Sequence, residues 1–201
     1  MPKTSEQFTA IRKERRDAIL ESALFLFATK GFEGANMDDV SKVADCSHGL
    51  LYHYFSSKQE LFDAVVNEKV IPTHLAISET VNFDQKAKFV IYDLILKYFE
   101  ILKGKDDRAV WAMTVILYVR LNSSMWTTVM KTVKSHKPIQ DWILELIQRG
   151  QAEGDFNNFE AKDMVFALLA LVVGLCINRQ RVGYRKFSCP NAEIVMKMFL
   201  K

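Results

Sequence analysis

The sequence predicts an all-α protein: a three-helix helix-turn-helix domain of short elements, followed by a bundle of longer helices, about nine helices in all. Three observations carry that expectation. Apolar residues recur at spacings of three and four along most of the 201 residues, and sustained alternation is missing. Residues that favour helix starts, Asn36, Ser47 and Ser57, each stand just before such a run. The chain is 49% hydrophobic, with 8 Gly, 4 Pro and no low-complexity stretch, so it can bury a core without staples.

The elements follow in order. The first helix is expected from about Phe8 to Thr29, with Ile11, Ala18, Ile19, Ser22, Ala23, Leu26 and Phe27 inward and Gly31 supplying the left-handed residue that closes it. Asn36 caps a two-turn helix, Met37 to about Ala44, with Asp39 at its third position and Met37, Val40, Val43 and Ala44 inward. Ala44-Asp45-Cys46 is a tight connection, and Ser47 caps a third helix, His48–Phe55. Ser57-Lys58-Gln59-Glu60 has capping-box spacing and opens a fourth helix to about Val70, which Pro72 ends or kinks. Longer helices are expected over Asp84–Lys103, Arg108–Asn122, Ser123–Ser135, Pro138–Glu153 and Asp163–Tyr184, with Gly154 capping the fourth of these. Pro190 opens a last short helix. Two domains result, 1–56 and 57–201.

Several functional classes are set aside. The three cysteines, Cys46, Cys176 and Cys189, are odd in number and widely spaced, which points to reduced thiols in a cytoplasm. The first ten residues lack the apolar core of a secretory signal. Met164–Ile177 is nearly all apolar but shorter than a membrane span needs, so it reads as a helix covered on all sides, and no membrane partner is expected. There is no G-x-S-x-G, no glycine-rich phosphate loop and no H-E-x-x-H. The four histidines are scattered, so no catalytic, metal or cofactor site is expected. Net charge is +3, and acidic and basic residues nearly cancel over residues 1–60. The run Arg12, Lys13, Arg15, Arg16 reads as the solvated face of a helix.

Two short helices joined by a tight turn, Met37–Ala44 and His48–Phe55, have the helix-turn-helix pattern. On a helical wheel Leu51 and Phe55 share one edge and pack inward. Gly49, Leu50 and His53 face away, with Tyr52 and Tyr54 on the shoulders. The outward groups have no nearby partner in the chain, and phosphate oxygens and base edges can supply one. Gly49 would let the helix approach a groove closely, and Ser47 and Ser57 open helices whose free N–H groups favour phosphate. Lys58 stands in a first helical turn, where the macrodipole disfavours a cation; a DNA phosphate there would resolve the conflict. A bundle helix whose tyrosines simply pack would show the same spacing, so a helical interaction module that does not bind DNA is the alternative.

The run from Ala18 to Phe62 resembles the DNA-binding domain of the TetR family of transcriptional regulators. The matching pieces are Ala23, Phe27 and Gly31-Phe32, then D-V-S-K-V-A at Asp39–Ala44, S-x-G-x-L-Y-H-Y-F at Ser47–Phe55, and S-K-x-x-L-F at Ser57–Phe62. The resemblance implies a homodimeric regulator, a repressor, bound to a palindromic double-stranded DNA operator and released by a small-molecule effector. Carried over, the DNA-contacting positions are Asn36, Asp38, Ser47, His48, Gly49, Leu50, Tyr52, His53, Tyr54 and Lys58. Tyr52, Tyr54 and Lys58 would mainly take phosphates, and His48, Leu50 and His53 would lie nearest the bases. Three positions depart from the family pattern: Ala35 loses a hydroxyl, Asp45 stands where glycine is usual, and Leu50 replaces a common threonine.

For the second domain the resemblance implies an effector pocket and a dimer interface made by the last long helices. Phe89, Tyr92, Phe99, Trp111, Met113, Leu117, Tyr118, Trp126 and Phe166 are the candidate lining, which suggests an apolar or aromatic effector. Ile143, Ile147, Ala167, Ala170 and Gly174 are the candidate interface; the small residues would let helices approach closely.

Overall fold

The computed structural model describes residues 5–121 and 139–201. The described residues form helices α1 (Ser5–Gly34), α2 (Met37–Val43), α3 (His48–Tyr54), α4 (Lys58–Val65), α5 (Ile71–Glu79), α6 (Ala87–Lys103), α7 (Asp107–Leu121), α8 (Ile139–Ala152), α9 (Ala161–Val182) and α10 (Ala192–Met196). A π turn, Val66–Val70, joins α4 and α5 into one rod. Beyond helices and turns, the described residues contain one isolated bridge, between Phe156 and Leu200. The all-α class is as the sequence predicts. The expected helix over Ser123–Ser135 lies outside the described residues.

The side-chain caps form where the sequence puts them. Asn36 accepts from Asp39 N at 2.7 Å, Ser47 from Leu50 N at 3.2 Å and Ser57 from Glu60 N at 3.1 Å. The expected box at Ser57 closes one residue early: the Glu60 carboxylate accepts from the Ser56 N–H and hydroxyl, at 2.7 and 2.6 Å. Asp39 does not turn back to Asn36; its carboxylate takes the Lys30 ammonium at 2.6 Å.

Some inward positions differ from the expected ones. α1 turns at Gly31, where φ is 71°, but continues for another turn. Ala18 is exposed, while Leu20 and Leu24 are buried. The reason is that α1 packs on α4 and α7 at once, so its apolar stripe is wider than one face. Val43 is 49% exposed, because it lies about 240° round the helix from Met37. Ser41 is buried instead, its hydroxyl donating to Asp38 O at 2.9 Å.

Pro72 does not end its helix. Proline has no N–H to give the carbonyl four residues back, and its ring crowds that carbonyl. The wider π turn just before it, in which Ile71 N–H donates to Val66 O, opens the backbone and lets the rod continue.

Two cores hold the molecule together. The first joins α1–α4 and the π turn around Phe27, Leu51, Phe55 and Phe62, and continues to Val70, past residue 56. Phe62 meets Phe27 and Phe32 edge-on, each at 5.0 Å. The second joins α6, α8, α9 and α10 around Ile91, Leu94, Ile147, Leu168 and Phe199. α7 serves both: Ala112, Val115 and Val119 enter the first core, Val110 and Met113 the second.

Arg179 is the polar group buried in the bundle, 2% exposed. It donates to Leu102 O at 2.8 Å, to Gly104 O at 3.0 Å and to Asp107 Oδ1 at 2.6 Å. It thereby satisfies carbonyls at the end of α6 and ties the α6–α7 turn to α9.

α9 is longer than its apolar run indicates. Its 22 residues are enough, by length and composition, to cross a membrane. Met164, Val165, Leu168, Val172 and Cys176 pack on the bundle, while Phe166, Ala170, Gly174 and Ile177 are exposed. Within one chain α9 is therefore covered on one side, and its other apolar side is exposed.

Candidate nucleic-acid interface

α3 divides as its wheel predicts. Leu51 and Phe55 are 0% and 2% exposed and lock the helix onto α1 and α4. Ser47, His48, Gly49, Tyr52 and His53 are exposed, and Leu50 is half-buried. The connection before α3 turns at Asp45, φ 47°, in the left-handed region that aspartate tolerates better than most residues. A Cβ on Gly49 would meet nothing within 4 Å, so the fold itself does not require glycine there.

The outward side chains are partly organised already. His48 Nε2 lies 3.0 Å from Asp38 Oδ1, which links the starts of α2 and α3. The His48 ring sits edge-on to Tyr52 at 4.7 Å. The Asn36 and Ser47 side-chain oxygens are spent on capping.

Two expected phosphate contacts are engaged inside the chain. The Lys58 ammonium donates to Phe32 O at 2.9 Å and Ala35 O at 3.1 Å, and lies 4.4 Å above the Phe32 ring. A cation at the carbonyl end of α1 answers the macrodipole conflict without DNA. Tyr54 is half-buried, and its hydroxyl donates to Arg12 O at 3.3 Å.

The sequence also passed over a feature. The basic run of α1 lies beside α3: the Arg12 guanidinium is 5.9 Å from the Tyr54 ring centre, and that of Arg16 is 5.1 Å from that of Phe55. The signal was present as four basic residues in five, but a wheel of α1 alone cannot say which neighbour that face meets.

Residues 19–65, from Ile19 to Val65, match the model of bacterial regulatory proteins of the tetR family. The match spans all of α2, α3 and α4 with the capped turns between them. These residues form a DNA-binding domain of the TetR type.

Relatives with curated names extend the likeness along the chain. A probable HTH-type transcriptional regulator, YttP of Bacillus subtilis, is 22% identical over 187 residues, 92% of this chain and 88% of that protein. The HTH-type transcriptional repressor AcnR of Corynebacterium diphtheriae is 23% identical over 84% of this chain and 82% of its own length. Among solved structures, the fatty acid degradation regulator FadR of Bacillus halodurans shares the fold, with TM-score 0.61, 18% identity and coverage of 92% of this chain and 93% of that one. The chain is thus a DNA-binding transcription regulator of the helix-turn-helix type, not an enzyme.

Away from α3, an apolar cavity opens in the bundle. It encloses about 580 Å³ of empty space, its open mouth included. His74, Leu94, Ile95, Tyr98, Phe99, Met113, Ile116, Ile143, Leu168, Leu169, Leu171, Val172 and Val195 line it. Of the expected lining, Phe99 and Met113 are there among the described residues. Phe89 and Phe166 are exposed, and Tyr92 packs on the second core outside the cavity. Trp111 lies in the first core, 5.2 Å from Phe25, and Tyr118 packs against Gly31. The Leu117 side chain and Trp126 lie outside the described residues. Helical spacing marks inward residues of α7 but cannot say which of its two cores they enter.

The expected interface residues also separate. Ile143 and Ile147 are 1% and 0% exposed within their own chain and pack in its second core. Ala170 and Gly174 are exposed on α9, with Phe166 and Ile177 beside them, and Ala167 is half-buried. Burial pushes the Cys176 thiol up to about 12, and it raises Cys46 and Cys189 as well, which holds these thiols in the unreactive form at neutral pH.

Proposed function

We propose that the chain is a ligand-responsive repressor that binds a palindromic operator as a homodimer and is released by a small apolar effector. The observation that carries this reading is α3: a seven-residue helix anchored by Leu51 and Phe55 that presents His48, Gly49, Leu50, Tyr52 and His53 outward. In a helix-turn-helix the second helix reads the major groove, and two copies must sit about 34–36 Å apart to engage one operator.

The exposed apolar strip of α9, Phe166, Ala170, Gly174 and Ile177, supports a second subunit as its cover. An apolar surface of this kind has to be covered, and Ala170 and Gly174 allow close approach. A DNA partner also places the protein in the cytoplasm.

The cavity supports the effector class. Nine of its thirteen lining residues are Leu, Ile or Val, and among the described residues no charged side chain lines it, so it suits an aliphatic group better than a polar one. The related fold of a fatty acid degradation regulator accords with an acyl compound. His74 brings the α4–α5 rod to the cavity wall, and Met113 and Ile116 bring α7. Both elements pack on α1 in the first core. Effector binding would favour one packing of these helices and so change the spacing of the two α3 helices, by no more than its differential affinity for the two states.

Capture of genomic fragments by the purified protein at two salt concentrations, followed by sequencing, tests the reading. A palindrome recovered at both is expected. Recovery of unrelated fragments that vanish at the higher salt would count against it, as would a Tyr52→Ala variant that binds DNA as well as the parent chain.

A further inference from the structure

We propose that α1 carries a phosphate-contacting row beside α3, made of Arg12 and Arg15, and that Tyr54 positions this row and does not itself contact DNA. The inference rests on the reading of α3 as the helix that enters the groove.

The argument starts from where the fixed positive charge lies. Ser47–Ser57 contains no Lys or Arg. The next cation, Lys58, is committed to the carbonyls of Phe32 and Ala35. DNA affinity depends heavily on neutralising phosphates, so the charge has to come from a neighbouring element. α1 is one such neighbour and carries two exposed arginines, Arg12 and Arg15. Arg12 stands over Tyr54 and Arg16 over Phe55, so this stretch runs along the C-terminal end of α3. The Arg15 charge also acts on Cys46, in the turn just before α3. Arg16 is already neutralised by Glu68. Arg12 and Arg15 are exposed, and among the described residues neither is paired with a carboxylate. Their guanidinium groups suit bidentate contact with phosphate.

Tyr54 takes the supporting role by elimination of its donor. A phenol has one O–H, and this one is given to Arg12 O at 3.3 Å. Phosphate oxygens only accept, so Tyr54 cannot serve both. It serves α1 and holds Arg12 at the edge of the recognition helix.

The experiment measures binding to a 30-base-pair duplex of mixed sequence across a range of salt. The proteins are the full chain, Arg12→Ala/Arg15→Ala, and a charge-matched control, Lys103→Ala/Lys197→Ala, altered at exposed positions of the bundle. The slope of log affinity against log salt is expected to fall by about 1.8 per subunit in the arginine variant, roughly 60-fold in affinity at 0.1 M relative to 1 M. The control keeps the parent slope. Tyr54→Phe is expected to weaken binding in the parent chain and to do nothing further in the arginine variant. An unchanged slope in the arginine variant, an equal fall in the control, or a Tyr54→Phe effect of the same size in both backgrounds would overturn the proposal while leaving α3 as the DNA reader. Failure of the parent chain to bind the duplex even at 50 mM salt would overturn both.

Discussion

The two halves of this protein begin their helices differently. In the first core, α2, α3 and α4 are seven or eight residues long, and each starts on a side-chain cap, Asn36, Ser47 or Ser57. In the bundle, α6 and α9 run for 17 and 22 residues and start at Lys86 and Glu160, neither of which caps its helix with its own side chain. A two-turn helix leaves most of its N–H groups without helical partners and cannot sustain itself. A long helix with a buried face is held by packing, and its first turn matters little. Short elements therefore need specific residues at their ends, and long ones need only a pattern.

This contrast can be broken in several ways. The largest effect is expected from Phe62→Ala, about 3–5 kcal/mol in denaturant unfolding, since Phe62 is fully buried among three helices. Because α7 sits in both cores, the loss should appear as one shifted transition. Two separated transitions would show that the halves are independent. Arg179→Ala should cost about 3 kcal/mol, because it leaves two carbonyls and Asp107 without their partner; calorimetry reads it as a fall in Tm. A loss below about 0.5 kcal/mol would mean that water replaces the guanidinium.

The caps give the direct test. Asn36→Ala and Ser47→Ala should each cost about 1 kcal/mol. Lys86→Ala and Glu160→Ala should stay within about 0.5 kcal/mol. Equal losses in the two sets would erase the distinction drawn above. The smallest effect concerns pH. The hydrogen bonds from Ser56 hold the Glu60 carboxyl below its ordinary 4.5, and those from Lys30 hold Asp39 below its ordinary 3.8. A lowered folded value contributes stability that is present above the ordinary value and lost as pH falls through the lowered one. Acid titration of unfolding should therefore show a shallower decline below pH 4.5 for Glu60→Gln than for the parent chain. An identical decline would exclude Glu60 as a contributor.

The same contrast governs what could be read from the sequence. The starts of α2, α3 and α4 were legible to the residue, because a cap is a local code. The starts of α6 and α9 were expected at Asp84 and Asp163 but lie at Ala87 and Ala161, because no single residue sets them. The split of α3 into a buried edge and an exposed face needed only its own wheel. The cavity did not yield to the same method. Trp111, Met113 and Tyr118 share a helix, and spacing assigns all three inward, yet Trp111 packs on Phe25, Met113 lines the cavity and Tyr118 packs on Gly31. Tertiary neighbours decide such cases. The roles of Lys58 and Tyr54 were missed for that reason too: each is spent on a carbonyl of α1, 26 and 42 residues away in sequence.

The π turn at Val66–Val70 has a consequence for how this chain can vary. A wide turn holds one residue more than an α turn, so it is the place where a single-residue deletion would leave an unbroken helix. Such a deletion would restore regular winding and leave the residues beyond it on their present faces, because the wide turn fits its extra residue into about the arc of one α turn. His74 would stay on the cavity wall. The ring of Pro72 would then crowd the carbonyl four residues back, so one codon would return the clash that the wide turn removes.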